Sequence, residues 1–323
     1  MRVLVTGGAG YIGSVCVECL IDYGHSVLVY DNLCEGHRSA VSDKASFVFG
    51  DIADVELLKT TLTTFKPEAV IHFAASALVG ESMQNPHKYF ENNVTNALRL
   101  LETSRICGVR KFVFSSTCAT YGPPKQFPMT EDLPQNPVNP YGESKLMFER
   151  ILKWYHEIYG MEFVAFRYFN AAGASPNFGE HHKIETHLIP NVLKVVLGQK
   201  PHCEIYGKDY PTPDGTCIRD YIHVIDLSIA HILALKDGIC GFYNLGNGNG
   251  YSVLEVIKMC EEVTGVKIPT VVKERRPGDP PRLVASAEKA KRDLGWVPKL
   301  PELKEIIESA WKWHKDHPNG YPD

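Results

Sequence analysis

The chain has 323 residues, with 34 Lys and Arg against 38 Asp and Glu and a formal net charge of −4, so no overall positive field draws it to nucleic acid or to an anionic membrane. Hydrophobic residues make up 44% and charged residues 22%, the balance of a globular chain with a substantial core, which excludes a disordered class. The length exceeds that of a usual single domain and points to two lobes sharing a cleft.

The first residues run straight from Met1 into an apolar strand, leaving no room for a signal peptide, and no apolar stretch approaches membrane-spanning length. Nine cysteines, scattered from Cys16 to Cys260 without scaffold spacing, suit a reducing compartment, so the expected localisation is cytoplasmic. The Cys16-Val17-Glu18-Cys19 pair falls inside a predicted helix with no second pair nearby and is read as structural rather than as a zinc site.

In chain order, the predicted strands of the first half are Val3 to Val5, Val27 to Tyr30, Phe47 to Phe49, Ala69 to Phe73, Lys111 to Ser115 and Phe163 to Arg167. Helical periodicity fills the gaps at Tyr11 to Tyr23, Val55 to Phe65, Pro86 to Cys107 and Pro140 to Tyr159. This alternation predicts an α/β fold, a Rossmann-type doubly wound parallel sheet over residues 1–169. After Asn170 glycine, proline, histidine and asparagine become frequent. A smaller, irregular C-terminal substrate lobe is expected over residues 170–323, with helices at His187 to Leu197 and Pro301 to His314 and some chain returning to the first lobe.

Gly7, Gly10 and Gly13 lie between the first strand and the first helix, where a side chain would hold the backbone away from a pyrophosphate seated on the helix N-terminus. Asp31 ends the second strand, 18 residues beyond Gly13, where a carboxylate can bond both ribose hydroxyls and repel a 2′-phosphate. The register of strand, glycines, helix and acid predicts NAD. Asp51 and Ile52 follow the third strand and either flank an adenine or, for Asp51, cap or turn the chain. Phe73, Ala74 and Ala75 follow the fourth strand, where small residues let a cofactor lie close.

Tyr141 and Lys145 stand four residues apart, hence on one helical face. A phenol is a poor base near neutral pH, but a neighbouring ammonium and an oxidised nicotinamide both favour its phenolate, which can take a hydroxyl proton. Ser115, Ser116 and Thr117 end the fifth strand, where a hydroxyl can share that proton network.

These motifs, with Asp31-Asn32-Leu33, Val70-Ile71-His72-Phe73-Ala74, Asn92-Asn93-Val94, Arg167-Tyr168-Phe169-Asn170, Gly207-Lys208-Asp209-Tyr210-Pro211-Thr212 and Arg219-Asp220-Tyr221-Ile222-His223-Val224, resemble the extended short-chain dehydrogenase/reductase family. The resemblance covers essentially the whole chain and lies closest to the family's UDP-sugar 4-epimerases. It implies reversible 4-epimerisation of a UDP-hexose, UDP-galactose or UDP-glucose, through a transient 4-keto sugar with NAD tightly bound. Tyr141, Lys145 and Thr117 take the catalytic positions in that reading. Tyr11, Ile12, Asn32, Asn92, Ser115 and Tyr168 join the cofactor set. Phe169, Asn170, His187, Leu188, Ile205, Tyr206, Arg219, Tyr221, Arg276, Asp279 and Leu283 join Thr117 and Tyr141 in the substrate set. His187 stands where one branch has asparagine, and Ala77 where it has lysine. Leu283 stands where some relatives restricted to unmodified sugars carry a bulky aromatic, which implies room for N-acetylated sugars. A homodimer through a helix pair of the first lobe is also implied.

The related dehydratases carry Asp-Glu after the strand-five threonine, whereas Thr117 is followed by Cys118-Ala119. A UDP-pentose 4-epimerase, or another NAD-dependent sugar-nucleotide-modifying enzyme, is the remaining alternative. Glu180, His181, His182, Glu185 and His187 form no recognised ligand spacing, and no metal is expected. Trp311 and Trp313 are read as core residues of an amphipathic terminal helix.

Overall fold

A computed structural model describes residues 1–276 and 278–323. Six strands of the first half, β1 (Arg2–Thr6), β2 (Ser26–Asp31), β3 (Ser46–Phe49), β4 (Ala69–His72), β5 (Lys111–Thr117) and β6 (Glu162–Tyr168), pair in parallel. They are wrapped by α1 (Tyr11–Asp22), α2 (Val55–Phe65), the short α3 (Val79–Ser82) and α4 (Pro86–Phe90), α5 (Ala97–Ile106) and α6 (Pro140–Tyr159). Their near-continuous apolar stretches, such as Val3 to Val5 and Phe112 to Phe114, are buried, as both faces of a parallel sheet must be.

The second half begins with β7 (Asn170–Ala172), α7 (Leu188–Val196), β8 (Cys203–Tyr206), β9 (Ile218–His223) and α8 (Val224–Leu233). Then β10 (Gly241–Leu245) returns to the large sheet beside β6, giving the order β10-β6-β5-β4-β1-β2-β3. The chain finishes through β11 (Gly250–Ser252), α9 (Val253–Thr264), β12 (Thr270–Lys273), β13 (Arg282–Leu283), α10 (Glu288–Leu294) and α11 (Leu303–Asp316). In the smaller sheet β9 is flanked by β7, β11 and β13, and β8 pairs with β12.

The predicted strands and helices of the first half are found within a residue or two, with one informative exception. The segment read as a single helix from Pro86 to Cys107 is interrupted by a π-helical turn at Glu91–Asn96. Side chains on that turn, described below, bond outside the helix and offset the irregular ladder. Cys16 and Cys19 lie in α1 as free thiols, and Trp313 is buried. No described helix is long and apolar enough to cross a membrane.

Behind β5, β6 and α6 lies a closed polar network. Arg167 donates through Nε to Glu149 Oε1 at 3.0 Å and through Nη2 to Oε2 at 2.8 Å, with both side chains at most 3% exposed. Ser116 donates to the same carboxylate at 2.6 Å. Tyr121 accepts from Arg167 at 2.7 Å and donates to Asn244 of β10 at 2.7 Å. Removing one member of a buried charge pair strands the other without water. Glu149→Ala is therefore expected to lower stability by about 3–5 kcal/mol, measured by urea denaturation.

Candidate functional site

The glycine turn leads out of β1 at the carboxyl edge of the large sheet. Gly7 has φ +73°, and a Cβ there would lie 2.4 Å from the Ala74 backbone nitrogen. The loop after β1 thus touches the loop after β4 directly. A Cβ at Gly13 would meet the Gly7 carbonyl oxygen at 2.1 Å, so that glycine sets the closeness of α1 to the turn. Gly10 differs. Its backbone is extended (φ −83°, ψ 175°), and an added Cβ would meet only Gly7 O at an ordinary 3.5 Å. No described residue comes closer, so a side chain at position 10 would project into the space before the helix N-terminus. The first turn of α1 has no side-chain cap and no acidic residue, leaving its amides available to an anion.

Asp31 is buried at the end of β2 and accepts from the Ala9 amide at 3.0 Å and the Leu33 amide at 2.8 Å. Burial holds its carboxyl above the usual range, and the two amides oppose this. Asn32 donates to Asp51 at 2.7 Å, and Asp51 also accepts from the Ala53 amide at 2.8 Å. Of the open readings for Asp51, helix capping is ruled out, because Asp54 caps α2 through the Leu57 amide. Ile52 is buried beneath this turn. Thr6 Oγ1 bonds His72 Nδ1 at 2.7 Å, which ties β1 to β4 just before Phe73, Ala74 and Ala75.

Asn139 caps α6 by accepting from Gly142 N at 2.8 Å, and Pro140 occupies the next position. Tyr141 therefore falls in the first turn, half-buried, with its ring edge-on to Tyr89. One turn on, Lys145 is 2% exposed and donates to the Ser115 carbonyl oxygen at 2.7 Å. Burial lowers the Lys145 amine to about 7, against a smaller opposing pull from Glu149. Burial also pushes the Tyr141 phenol up to about 12, opposed by a hydrogen bond with the Thr117 hydroxyl. The expected lowering of the phenol by Lys145 is absent from the protein alone, where the influences on Tyr141 are burial, Thr117 and Cys118. A phenolate here needs positive charge from a ligand, helped by the favourable dipole of the α6 N-terminus.

Asn93, buried on the π turn, was missed as a positioning residue in the sequence. It accepts from Ser76 N at 2.8 Å and donates to Ser76 O at 2.9 Å and Ser144 Oγ at 3.0 Å. It pins the loop after β4 to the turn that carries Tyr141. Two adjacent asparagines inside a helical pattern were the available signal. Asn92 reaches Ser76 Oγ at 3.3 Å. Tyr168 donates its hydroxyl to His231 Nε2, since His231 Nδ1 must carry the proton given to the Leu227 carbonyl. The Tyr168 side chain is thus held in the core. Tyr11 donates to the Gly173 carbonyl at 2.6 Å, and Ile12 packs against the core beside it.

The register of the smaller sheet sets Asn170 beside Tyr221 and Leu283 beside Arg219. Arg219 is ion-paired with Asp279, and the Arg276 guanidinium stacks 4.0 Å over the Tyr206 ring. Phe169 and Leu283 pack with Tyr121 and Met129 next to Cys118. Leu188 opens α7, whereas Ile205 is a core residue. The His187 ring is turned to Glu180 and Glu185; burial alone would lower it, but the two carboxylates raise it to about 10. Ala77 is exposed.

A glycine turn and buried acid at the carboxyl edge of a doubly wound parallel sheet, with a Tyr-x-x-x-Lys helix beside them, define a dinucleotide-binding α/β protein of short-chain dehydrogenase/reductase type. The model of the NAD dependent epimerase/dehydratase family matches residues 3–246, and the chain belongs to that family. It is 54% identical to the UDP-glucose 4-epimerase of Halalkalibacterium halodurans, over 99% of this chain and 98% of that protein. A crystal structure of a UDP-glucose 4-epimerase is 52% identical, with a TM-score of 0.97 and complete coverage of both chains. The UDP-glucose 4-epimerase of Bifidobacterium longum, solved in complex with NAD+ and UDP, is 39% identical with a TM-score of 0.95, covering 99% of this chain and 100% of that one.

The Lys145 shift has a measurable sign. Its folded value lies below the unfolded one, so burying the amine destabilises the ligand-free fold fully below about pH 7, and the penalty fades as pH rises toward 10.5. Lys145→Met removes the titration. Its stability relative to the parent should be highest below pH 7 and decline between pH 7 and 9.5, as followed by urea midpoints of ligand-free protein.

Proposed function

We propose that this protein is an NAD-dependent 4-epimerase of UDP-hexoses that interconverts UDP-galactose and UDP-glucose. The observation that carries the reading is Tyr141 in the first turn of α6, with Thr117 ending β5 and the Lys145 amine buried against the Ser115 carbonyl at the sheet edge that bears the glycine turn. The residues present fit NAD. The pyrophosphate would lie on the α1 N-terminus over Gly10, and the adenosine ribose at Asp31, whose carboxylate would repel a 2′-phosphate.

NAD, when bound, supplies a reversible acceptor for a hydride from the sugar. Tyr141 takes the proton of the sugar 4-hydroxyl, and Thr117 holds that hydroxyl against the phenol. The buried Lys145 amine sits where a positive charge helps the phenolate form. The 4-keto sugar turns within the pocket and presents its other face, and Tyr141 returns the proton as C4 regains the hydride, so no net redox change results. Arg219 and Arg276 would grip the diphosphate, since a guanidinium fork donates paired hydrogen bonds to phosphate oxygens. Residues 1–169, joined by the returning strand β10, serve as the cofactor lobe and the rest of 170–323 as the substrate lobe of a cytoplasmic enzyme. Leu283 leaves room for an N-acetyl group.

Incubating the purified protein with UDP-galactose should yield UDP-glucose by chromatography; an unchanged substrate pool in the presence of added NAD would reject the reading. Tyr141→Phe is expected to reduce turnover at least about 100-fold while NAD stays bound. Gly10→Val should keep the stability of the ligand-free fold yet lose NAD, measured by absorbance after acid release. UDP-N-acetylglucosamine should also be turned over, and no detectable reaction would remove the role given to Leu283.

A homodimer is supported by an apolar stripe on α6, where the exposed Met147, Trp154 and Ile158 share one face, next to exposed Leu98 and Ile106 on α5. Trp154→Glu should convert the dimer to a monomer in light scattering.

A further inference from the structure

The loop between Gly179 and α7 brings together four side chains that the proposed chemistry leaves without a role. Glu180, His182, Glu185 and His187 each direct one ligand atom into a space where all four atoms lie within 4.8 Å of one another. The Glu180 and Glu185 side chains are 5% and 3% exposed. Among the described residues, neither carboxylate has a Lys or Arg nitrogen within 4.0 Å; their charged neighbours at that range are the two histidines. Lys194 lines the adjoining cavity but stands farther off. Among the described residues the two buried carboxylates face only imidazole nitrogens at that range, so a divalent cation that displaces the ring protons would take over the charge balance of the site.

Three of the four imidazole-to-carboxylate separations fall near one metal geometry, with His182 and His187 facing different oxygens of Glu185. Ligands about 2.0–2.1 Å from a tetrahedral zinc lie about 3.3 Å from one another. His182 Nδ1 lies 3.2 Å from Glu185 Oε2 and 3.5 Å from Glu180 Oε1, and His187 Nδ1 lies 3.4 Å from Glu185 Oε1. The fourth pair, His187 Nδ1 to Glu180 Oε1 at 2.5 Å, must open to admit an ion. Each imidazole Nδ1 thus faces both carboxylates at once. A ring proton can serve only one acceptor well, whereas a metal bonds all four donors together. Two imidazoles in a set of four favour zinc over magnesium or calcium, which prefer oxygen. The His182 and His187 side chains, 30% and 51% exposed, leave a path for the ion to enter. His181, between two of these residues in sequence, bonds His37 at 3.0 Å and lies outside the set.

We propose that Glu180, His182, Glu185 and His187 form a structural zinc site that closes the 180–187 loop onto the start of α7. The site fixes Leu188 and reserves His187 for the metal instead of the nucleotide. Its spacing, Glu-x-His-x-x-Glu-x-His, matches none of the familiar sequence signatures for zinc, and only the fold of the loop unites the donors.

The test uses the full-length protein with NAD bound, treated with a chelator and then titrated with Zn2+ by calorimetry. One saturable equivalent per chain is expected, with binding weakened about 100-fold or more in His182→Gln and a raised melting temperature for the zinc-loaded parent. The absence of a saturable site in the parent, or equal affinity in His182→Gln, would overturn the proposal. Should the variant misfold, X-ray absorption of the zinc-loaded parent decides. A four-coordinate shell at about 2.0 Å with the outer-shell scattering of two imidazole rings upholds the site, and a shell without imidazole scattering rejects it.

Discussion

The arrangement rests on one buried amine. Lys145 reaches from the second turn of α6 to the Ser115 carbonyl, with the Phe114 ring 4.8 Å away and, among the described residues, no carboxylate within ion-pair distance. One neutral acceptor compensates poorly for the lost hydration of an ammonium, which is why the amine drifts toward its uncharged form. The contact fixes the rotation of α6 on β5, and helical periodicity then places Tyr141 over the end of the same strand. A helix rotated by one residue would bury Leu146 or Ser144 at this point instead, and the phenol would leave the sheet edge.

Much of the fold was legible in the sequence, because strands buried on both faces read as short apolar runs and the helices between them keep a three-to-four period. The strand–glycine–helix–acid register was equally legible, since each of its parts answers a local steric or electrostatic demand. What local pattern could not reveal depended on contacts between distant segments. The π turn at Glu91–Asn96 is held by Asn93 bonds to Ser76 and Ser144, residues 17 and 51 positions away. The return of Gly241–Leu245 to the large sheet likewise depends on pairing with β6.

The site chemistry divides along the same line. The residue types and the spacing of Tyr141 and Lys145 were evident, but their proton affinities were not, because burial is a property of the folded surroundings. In the folded chain burial raises the phenol and lowers the amine, and so holds both groups closer to neutrality than their spacing suggested. The histidines and glutamates of residues 180–187 gave the opposite lesson. Their linear spacing carries no recognisable pattern, and their convergence arises from the fold of one loop.

The return of β10 has a topological corollary. The strand that completes the large sheet arrives only after α7, β8, β9 and α8 have been laid down. During synthesis, β6 must therefore wait as a bare edge, with Val164 and Phe166 on it, until some eighty further residues have left the ribosome. The nascent first half therefore carries an unpaired strand edge, the kind of surface that invites edge-to-edge association. For the same reason, β6 reaches its final hydrogen-bond complement only when the second half supplies β10.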